Sequence, residues 1–296
     1  MKDKPVISVI MNCFNGEKYL SQAIESVISQ KYKNWELIFW DNLSTDRSEE
    51  IFKKYNDKRL RYFLSNKHTL LSEARSLAIA KSKGRIITFL DVDDYWKNTI
   101  LEKQVALYED EEVVFTCGNF YVITEYSKRM KVFTKEKMPS GFVLNSLLTK
   151  YLVGMLTLSV KKSEYLKVGG FSWDYHIIGD MDLVLKLAIN GKMASFNEQL
   201  AVCRKDGNNE SIIKVELFIQ ELRAWFKKNN DSLQSTNKKA LNIFYLDLLF
   251  KEYINLINNG SFSISSFLEA FKKLPLKVAI KIAAKFFINK LSGVRV

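Results

Sequence analysis

Three aspartates fall within four residues in D-V-D-D, Asp91, Asp93 and Asp94, directly after the apolar run Ile86-Ile87-Thr88-Phe89-Leu90. Carboxylates grouped at a rigid strand end present hard oxygen donors, the set that suits Mg²⁺ or Mn²⁺. The same spacing also suits a cap for a helix beginning around Lys97. Another acid, Asp41, closes the apolar run 35–40 in W-D-N-L-S-T-D, where it can face a ligand or form an Asx cap ahead of the next helix.

These acids need elements to hold them. Residues 6–12 read as a buried strand and 16–30 as a helix with Leu20, Ala23, Ile24, Val27 and Ile28 on one face. A strand at 35–40 follows, then N-cap chemistry at Ser44-Thr45-Asp46 for a helix through Lys54. A short strand at 61–64, a helix at 72–81 ended by Gly84 and a strand at 85–90 complete the series. Strands alternating with helices predict βαβ units and a mostly parallel sheet, and such sheets bind ligands beyond the carboxyl ends of their strands. Polar residues stand at three of those ends: 12–15, Asp41-Asn42 and 91–94. In one sheet they converge on one crevice.

The 296 residues suffice for about two domains, and 47% hydrophobic residues with 12 Gly and 3 Pro exclude disordered and collagen-like classes. Net charge is +12, which points to a polyanionic partner: nucleic acid, an anionic membrane or a phosphorylated ligand. That charge is uneven. From Ser211 onward there are 14 basic and 6 acidic residues, strand signals stop and long helical periodicities begin, so a boundary is expected near 211. Cys13, Cys117 and Cys203 are far apart without a C-x-x-C pair, which argues against a disulfide framework and for a reducing, cytosolic setting. The charged residues 1–5 lack the apolar stretch of a secretory signal, and no apolar run reaches the roughly 18 residues of a spanning helix, so a soluble or peripheral protein is expected.

V-I-S-V-I-M-N-C-F-N-G at 6–16, W-E-L-I-F-W-D-N-L-S-T-D at 35–46, A-R-S at 74–76, F-L-D-V-D-D at 89–94, G-G-F at 169–171 and G-D-M-D-L-V-L-K-L at 179–187 together resemble the family 2 glycosyltransferases. The resemblance covers about 5–211 and rests on the order of several motifs rather than on any one. It implies an inverting transferase of hexosyl or N-acetylhexosaminyl groups. The implied fold is α/β, the GT-A fold with a mostly parallel central sheet flanked by helices; here it would span 1–211, with a helical basic extension at 212–296.

The site residues are carried over on the same resemblance. Cys13, Phe14 and Asn15 are expected to hold the nucleotide base, with Phe14 against a uracil ring. Asp41, as an unpaired carboxylate, is expected to accept the uracil N3–H. Asp93 is the implied ligand of a Mn²⁺ or Mg²⁺ ion on the diphosphate, with Asp91, Val92 and Asp94 beside ribose, metal or sugar and Asp94 a second metal ligand. Arg75 would hold the acidic turn or a phosphate. Asp180 matches the family's catalytic base, although Gly179 replaces the acid that usually precedes it and Lys186 replaces the commoner Arg. Asp182 is its competitor, and both also suit a cap for the helix 181–190. His176 stands nearby as a structural or acceptor-contacting residue.

In the tail, Lys273, Lys277, Lys281 and Lys285 recur every four residues among Leu276, Val278, Ile280, Ile282, Phe286 and Phe287, and from Ala270 onward there is no acid. A helix at 264–291 of this kind suits an anionic membrane surface, or packs as a last helix with a solvated lysine face. The expected partners are a nucleotide-diphosphate sugar, a glycan or lipid-linked acceptor and, through 264–296, the inner face of the cell membrane. Nucleic acid is not expected, because no groove-reading motif occurs. Two rival classes remain. A non-catalytic nucleotide-sugar-binding protein would keep Asp41 and Asp93, whereas a nucleotidyltransferase would open with a Gly-rich basic phosphate loop that 11–16 lacks.

Overall fold

A computed structural model of the chain describes residues 6–124, 127–205 and 213–292. The chain divides into two compact units, Met1–Leu147 with Tyr151–Asn209, and Glu210–Val296 with Leu148–Lys150. The exact position 211 expected for the boundary, the charged residues 1–5 and the last four residues of 264–296 lie outside the described residues.

In the first unit, β1 (Ile7–Cys13), α1 (Leu20–Ile28), β2 (Trp35–Asp41), α2 (Ser48–Lys53), β3 (Leu60–Leu64), α3 (Leu71–Lys81) and β4 (Ile86–Phe89) alternate as expected. They are followed by β5 (Tyr95–Trp96), α4 (Ile100–Ala106), β6 (Val113–Gly118), β7 (Tyr121–Thr124), β8 (Ser127–Val132) and α5 (Leu144–Thr149), whose last two residues count with the second unit. Then come β9 (Ser159–Lys161), α6 (Lys162–Lys167), α7 (Gly179–Asn190), β10 (Lys192–Phe196) and β11 (Ala201–Lys205).

Seven strands form one sheet in the order β10-β6-β9-β4-β1-β2-β3. Its pairings are parallel except around β9, which runs antiparallel to both β4 and β6. β1 and β2 are buried along their whole length, as strands covered on both faces must be. On one face Leu20, Ala23, Ile24 and Val27 of α1 pack with Ile7, Val9, Met11, Leu37 and Phe39. α3 covers β1 and β2 as well. A second sheet, β5-β11-β7-β8, was not foreshadowed by the periodicity.

Local differences from the sequence reading have local causes. α1 starts at Leu20 rather than Gly16, because Gly16 to Tyr19 form the turn whose carbonyl at Gly16 accepts from Leu20 N–H. The N-cap of α2 is Arg47, and Asp46 instead accepts the Ser48 N–H at 3.0 Å. Gly84 does not end α3, whose C-cap is Ser82. It is needed for close packing, since a Cβ there would lie 2.6 Å from the Ser8 nitrogen.

The second unit holds α8 (Val215–Asn258), α9 (Ile264–Lys273) and α10 (Leu276–Ser292). The long helical periodicities expected after 211 form two helices within α8 that meet at a kink at Asn237 (φ −125°, ψ 19°). The single helix expected at 264–291 is two, because Pro275 forces Leu274 into an extended conformation (φ −112°, ψ 151°). Leu249, Tyr253 and Ile257 of α8 share a core with Phe262, Ala270, Leu274, Ala279 and Ile282. Opposite residues stay out of it: Ile264, Leu268, Leu276, Ile280 and Phe287 are all more than half exposed. Among the described residues no helix is long and apolar enough to cross a membrane.

Candidate active site

The ends of β1 and β2 are in register, Cys13 opposite Asp41, and the loops beyond them are laced together. Asn42 N–H donates to the Cys13 carbonyl (2.8 Å), Asn15 N–H to Ser44 Oγ (3.0 Å), Gly16 N–H to Ser48 Oγ (3.0 Å) and Glu17 N–H to Asp46 Oδ2 (2.9 Å). Asn15 adopts φ +55°, which asparagine tolerates better than most residues, and its Oδ1 accepts the Thr45 N–H at 2.8 Å. Cys13 is 1% exposed and belongs to the core, where burial pushes its thiol pKa up. Asn15 is exposed, and so is Phe14, at 51%. Its ring lies 4.2 Å from that of His68, a neighbour the motif did not reveal.

Asp41 is not the unpaired carboxylate that was expected. It is buried, with Oδ1 accepting the Ser44 N–H at 2.7 Å and Oδ2 accepting the Tyr62 hydroxyl at 2.8 Å. Burial and then the bond to Asp41 push the Tyr62 pKa up. Each carboxylate oxygen keeps a second lone pair, so the group still has acceptor capacity.

The acidic turn follows β4. Arg75, buried on α3, donates from Nη2 to both oxygens of Asp91, at 2.8 and 3.1 Å. Asp94 is 5% exposed and its Oδ1 accepts the Arg204 N–H at 2.8 Å. Neither Asp93 nor Asp94 caps a helix: β5 intervenes, and α4 has Thr99 as its N-cap. Val92 faces the first loop so closely that a Cβ on Gly16 would sit 2.8 Å from Val92 Cγ2.

Burial, then the charges of Asp93 and Asp91, hold the Asp94 carboxyl well above its usual range. Such an excess of clustered negative charge is what a divalent cation offsets, and Mg²⁺-type ions commonly take one or two carboxylates plus phosphate oxygens. Among the described residues no group of three His, Cys, Asp or Glu is arranged to enclose a metal. The donor set therefore suits a cation that arrives with a phosphorylated ligand rather than one caged by the protein.

At the start of α7, Asp180 and Asp182 part company. Asp182 is buried and paired with Lys186 Nζ at 2.6 Å. Asp180 is half-buried, and its Oδ1 accepts the Met181 N–H at 2.8 Å. Burial raises its pKa, Arg75 opposes that shift, and Asp91 adds to it, which places all three groups in one electrostatic neighbourhood. Neither acid is the N-cap, which is Ile178 without a side-chain bond. Phe171 of G-G-F packs edge-on to Phe89 (5.8 Å between centroids) and 5.9 Å beneath the Arg75 guanidinium. His176 is half-buried.

No motif marks Tyr62, His68, Arg204 or Tyr151; the Tyr151 hydroxyl is buried without a hydrogen-bond partner among the described residues, and its pKa is raised by burial and then by Asp180. All four reach the site from segments without a motif, so only the pairing of strands and loops brings them in.

The sequence pattern of the family described as glycosyl transferase family 2 matches residues 8–162. Escherichia coli WfgD, named a UDP-Glc:alpha-D-GlcNAc-diphosphoundecaprenol beta-1,3-glucosyltransferase, is 28% identical over 75% of this chain and 85% of its own length. Three other curated relatives are matched over 48–64% of their length. The crystal structure of S. aureus TarS 1–349 superposes with a TM-score of 0.70 at 15% identity, covering 96% of this chain and 88% of that one. TarS has also been solved with UDP-GlcNAc. A mannosyltransferase of Pyrobaculum calidifontis, solved with GDP-Man and Mn²⁺, superposes with a TM-score of 0.59 at 15% identity, over 97% of this chain and 81% of that one. These likenesses establish the α/β fold that the chain shares with such transferases.

Proposed function

The chain belongs to glycosyl transferase family 2, and from that premise we propose that it is an inverting enzyme moving a sugar from a UDP-sugar to a hydroxyl of a glycan or lipid-linked glycan. The observation that carries this reading is the meeting of Asp41, the 91–94 turn and Asp180 through Arg75 and the laced strand ends of the first unit. That unit is the catalytic domain, and the helical unit is its membrane-facing extension.

Phe14 offers the base an apolar face, and Asn15 keeps the loop beneath it closed. Asp41, fixed by Tyr62 and Ser44, accepts the uracil N3–H on a remaining lone pair; cytosine has no such donor. Asp93 and Asp94 would hold a divalent cation, Mn²⁺ or Mg²⁺, and the chemistry it would supply there is compensation of the negative charge of the diphosphate. Asp91 and Val92 shape the same turn beside the sugar, and Arg75 keeps Asp91 in place. Asp180, ionised, takes the proton of the acceptor hydroxyl as that oxygen attacks C1 opposite the breaking C1–O bond. The glycosidic bond forms, the nucleoside diphosphate departs with the bonding pair, and the anomeric centre inverts. Pairing with Lys186 keeps Asp182 out of this role.

The surface of α9 and α10 supports a place on the anionic cytoplasmic face of a membrane. Exposed Ile264, Leu268, Leu276 and Ile280 stand beside exposed Lys272, Lys273, Lys277 and Lys281. Release of nucleoside diphosphate from a panel of sugar nucleotides, with and without Mn²⁺, tests the donor and the cation together. Turnover with a UDP-sugar that depends on Mn²⁺ agrees with the proposal, and the absence of turnover with every donor and acceptor contradicts it.

A further inference from the structure

Arg204 lies at the end of β11, 110 residues from the acidic turn in sequence, yet reaches that turn through both main chain and side chain. Its N–H donates to Asp94 Oδ1 at 2.8 Å, and its Nη1 donates to the Asp93 carbonyl at 2.5 Å. The other arm of the fork, Nη2, donates to Gln22 Oε1 on α1. The guanidinium carbon also lies over two rings, 4.4 Å from the centre of Tyr19 and 4.8 Å from that of Tyr95. One side chain thus joins α1, the 91–94 turn and β11, and the two rings set the plane in which its fork can lie.

Resting on the cation reading above, we infer that Arg204 is a positioning residue for the divalent cation carried by the nucleoside diphosphate. Through the Asp93 carbonyl it fixes the main chain that aims the Asp93 carboxylate, and through its own N–H it fixes one oxygen of Asp94. Its charge also offsets part of the repulsion among Asp91, Asp93 and Asp94, so that the turn keeps its shape before any cation arrives. A lysine cannot replace it: an ammonium has no planar fork to span Asp93 and Gln22 while stacking on both rings.

The purified full chain, with Arg204→Lys and Gln22→Ala, tests this by calorimetric titration of UDP with and without Mn²⁺, beside thermal unfolding of the unliganded proteins. Residues that orient metal ligands typically change affinity by about 10- to 100-fold. Arg204→Lys is therefore expected to weaken Mn²⁺-dependent UDP binding at least about tenfold, and Gln22→Ala by a smaller factor in the same direction. UDP binding without Mn²⁺ should stay close to wild type, a pattern that general loss of structure would not give. Gln22 is exposed, so its substitution decides the matter should Arg204→Lys fail to fold. Unchanged Mn²⁺ dependence in the folded variants overturns the assignment and leaves the transferase reading standing. A wild-type protein whose UDP affinity ignores Mn²⁺ overturns the cation reading and this inference with it.

Discussion

Arg75 Nη2 grips both carboxylate oxygens of Asp91, at 2.8 and 3.1 Å, and its charge also bears on Asp180, so one cation on α3 serves both the acidic turn and the proposed base. The arginine is 7% exposed, which shields the pair on that side from competing water. This ion pair makes the third helix part of the site rather than a cover for the sheet.

Arg75→Met should therefore do two things. It removes a charge-assisted bond of about 1.5–3 kcal/mol, lowering stability, and it withdraws the positive charge that opposes the upward shift of the Asp180 pKa. The acid limb of the kcat/KM pH profile is expected to move to higher pH. A loss of stability with an unmoved acid limb would separate Arg75 from Asp180.

Asp180→Asn is expected to lower kcat by about 10²- to 10⁴-fold while UDP-sugar binding stays near wild type. Its folded-state pKa is raised, chiefly by burial, so the carboxylate's contribution to stability is present below its unfolded pKa and lost as pH rises through the folded one. At neutral pH the neutral isostere should thus unfold at a higher temperature than wild type, with the difference fading toward acid pH. Activity and stability would move in opposite directions, which calorimetry and a turnover assay read together.

Gly16 and Val92 form a steric lock between the base loop and the acidic turn. A Cβ at Gly16 would stand 2.8 Å from Val92 Cγ2 and 3.1 Å from Cys13 Sγ, so Gly16→Ala should cost about 1–3 kcal/mol and weaken UDP binding. Adding Val92→Ala makes room on one side. Part of the lost affinity should then return, and a double mutant no better than Gly16→Ala alone would show that the contact does not couple the two loops.

Membrane attachment is best tested on the exposed side of the terminal helices. Deleting 264–296 would strip Ala270, Leu274, Ala279 and Ile282 from the core of the second unit, so the deletion confounds binding with unfolding. Replacing Ile264, Leu268, Leu276 and Ile280 with Ser, or Lys277 and Lys281 with Glu, leaves that core in place. Both sets are expected to reduce sedimentation with vesicles containing anionic lipid, and the charge reversal should act most at low salt.

The alternation of β1 to β4 with their helices was legible because both faces of that sheet are covered, which writes near-continuous apolar runs into the sequence. The acids at the strand ends were legible for the same reason, since each directly follows such a run. What pairs with them was not. Tyr62 reaches Asp41 through the β2–β3 pairing, and Arg204 reaches the acidic turn through the antiparallel pairing of β11 with β5, a strand of two residues. Neither has a periodicity to announce it. The tail presented one lysine-spaced pattern that suited either packing or a membrane; the structure splits its apolar positions, Ala279 and Ile282 inward, Leu276 and Ile280 outward.

A single displacement with Asp180 as base would leave its mark in the anomeric configuration of the product. An α-linked UDP-sugar incubated with Mn²⁺ and a glycan or lipid-linked glycan acceptor should give a β-linked product by proton NMR coupling, and Asp180→Asn should give almost none while still binding UDP. An α-linked product, or full turnover by Asp180→Asn, would contradict it.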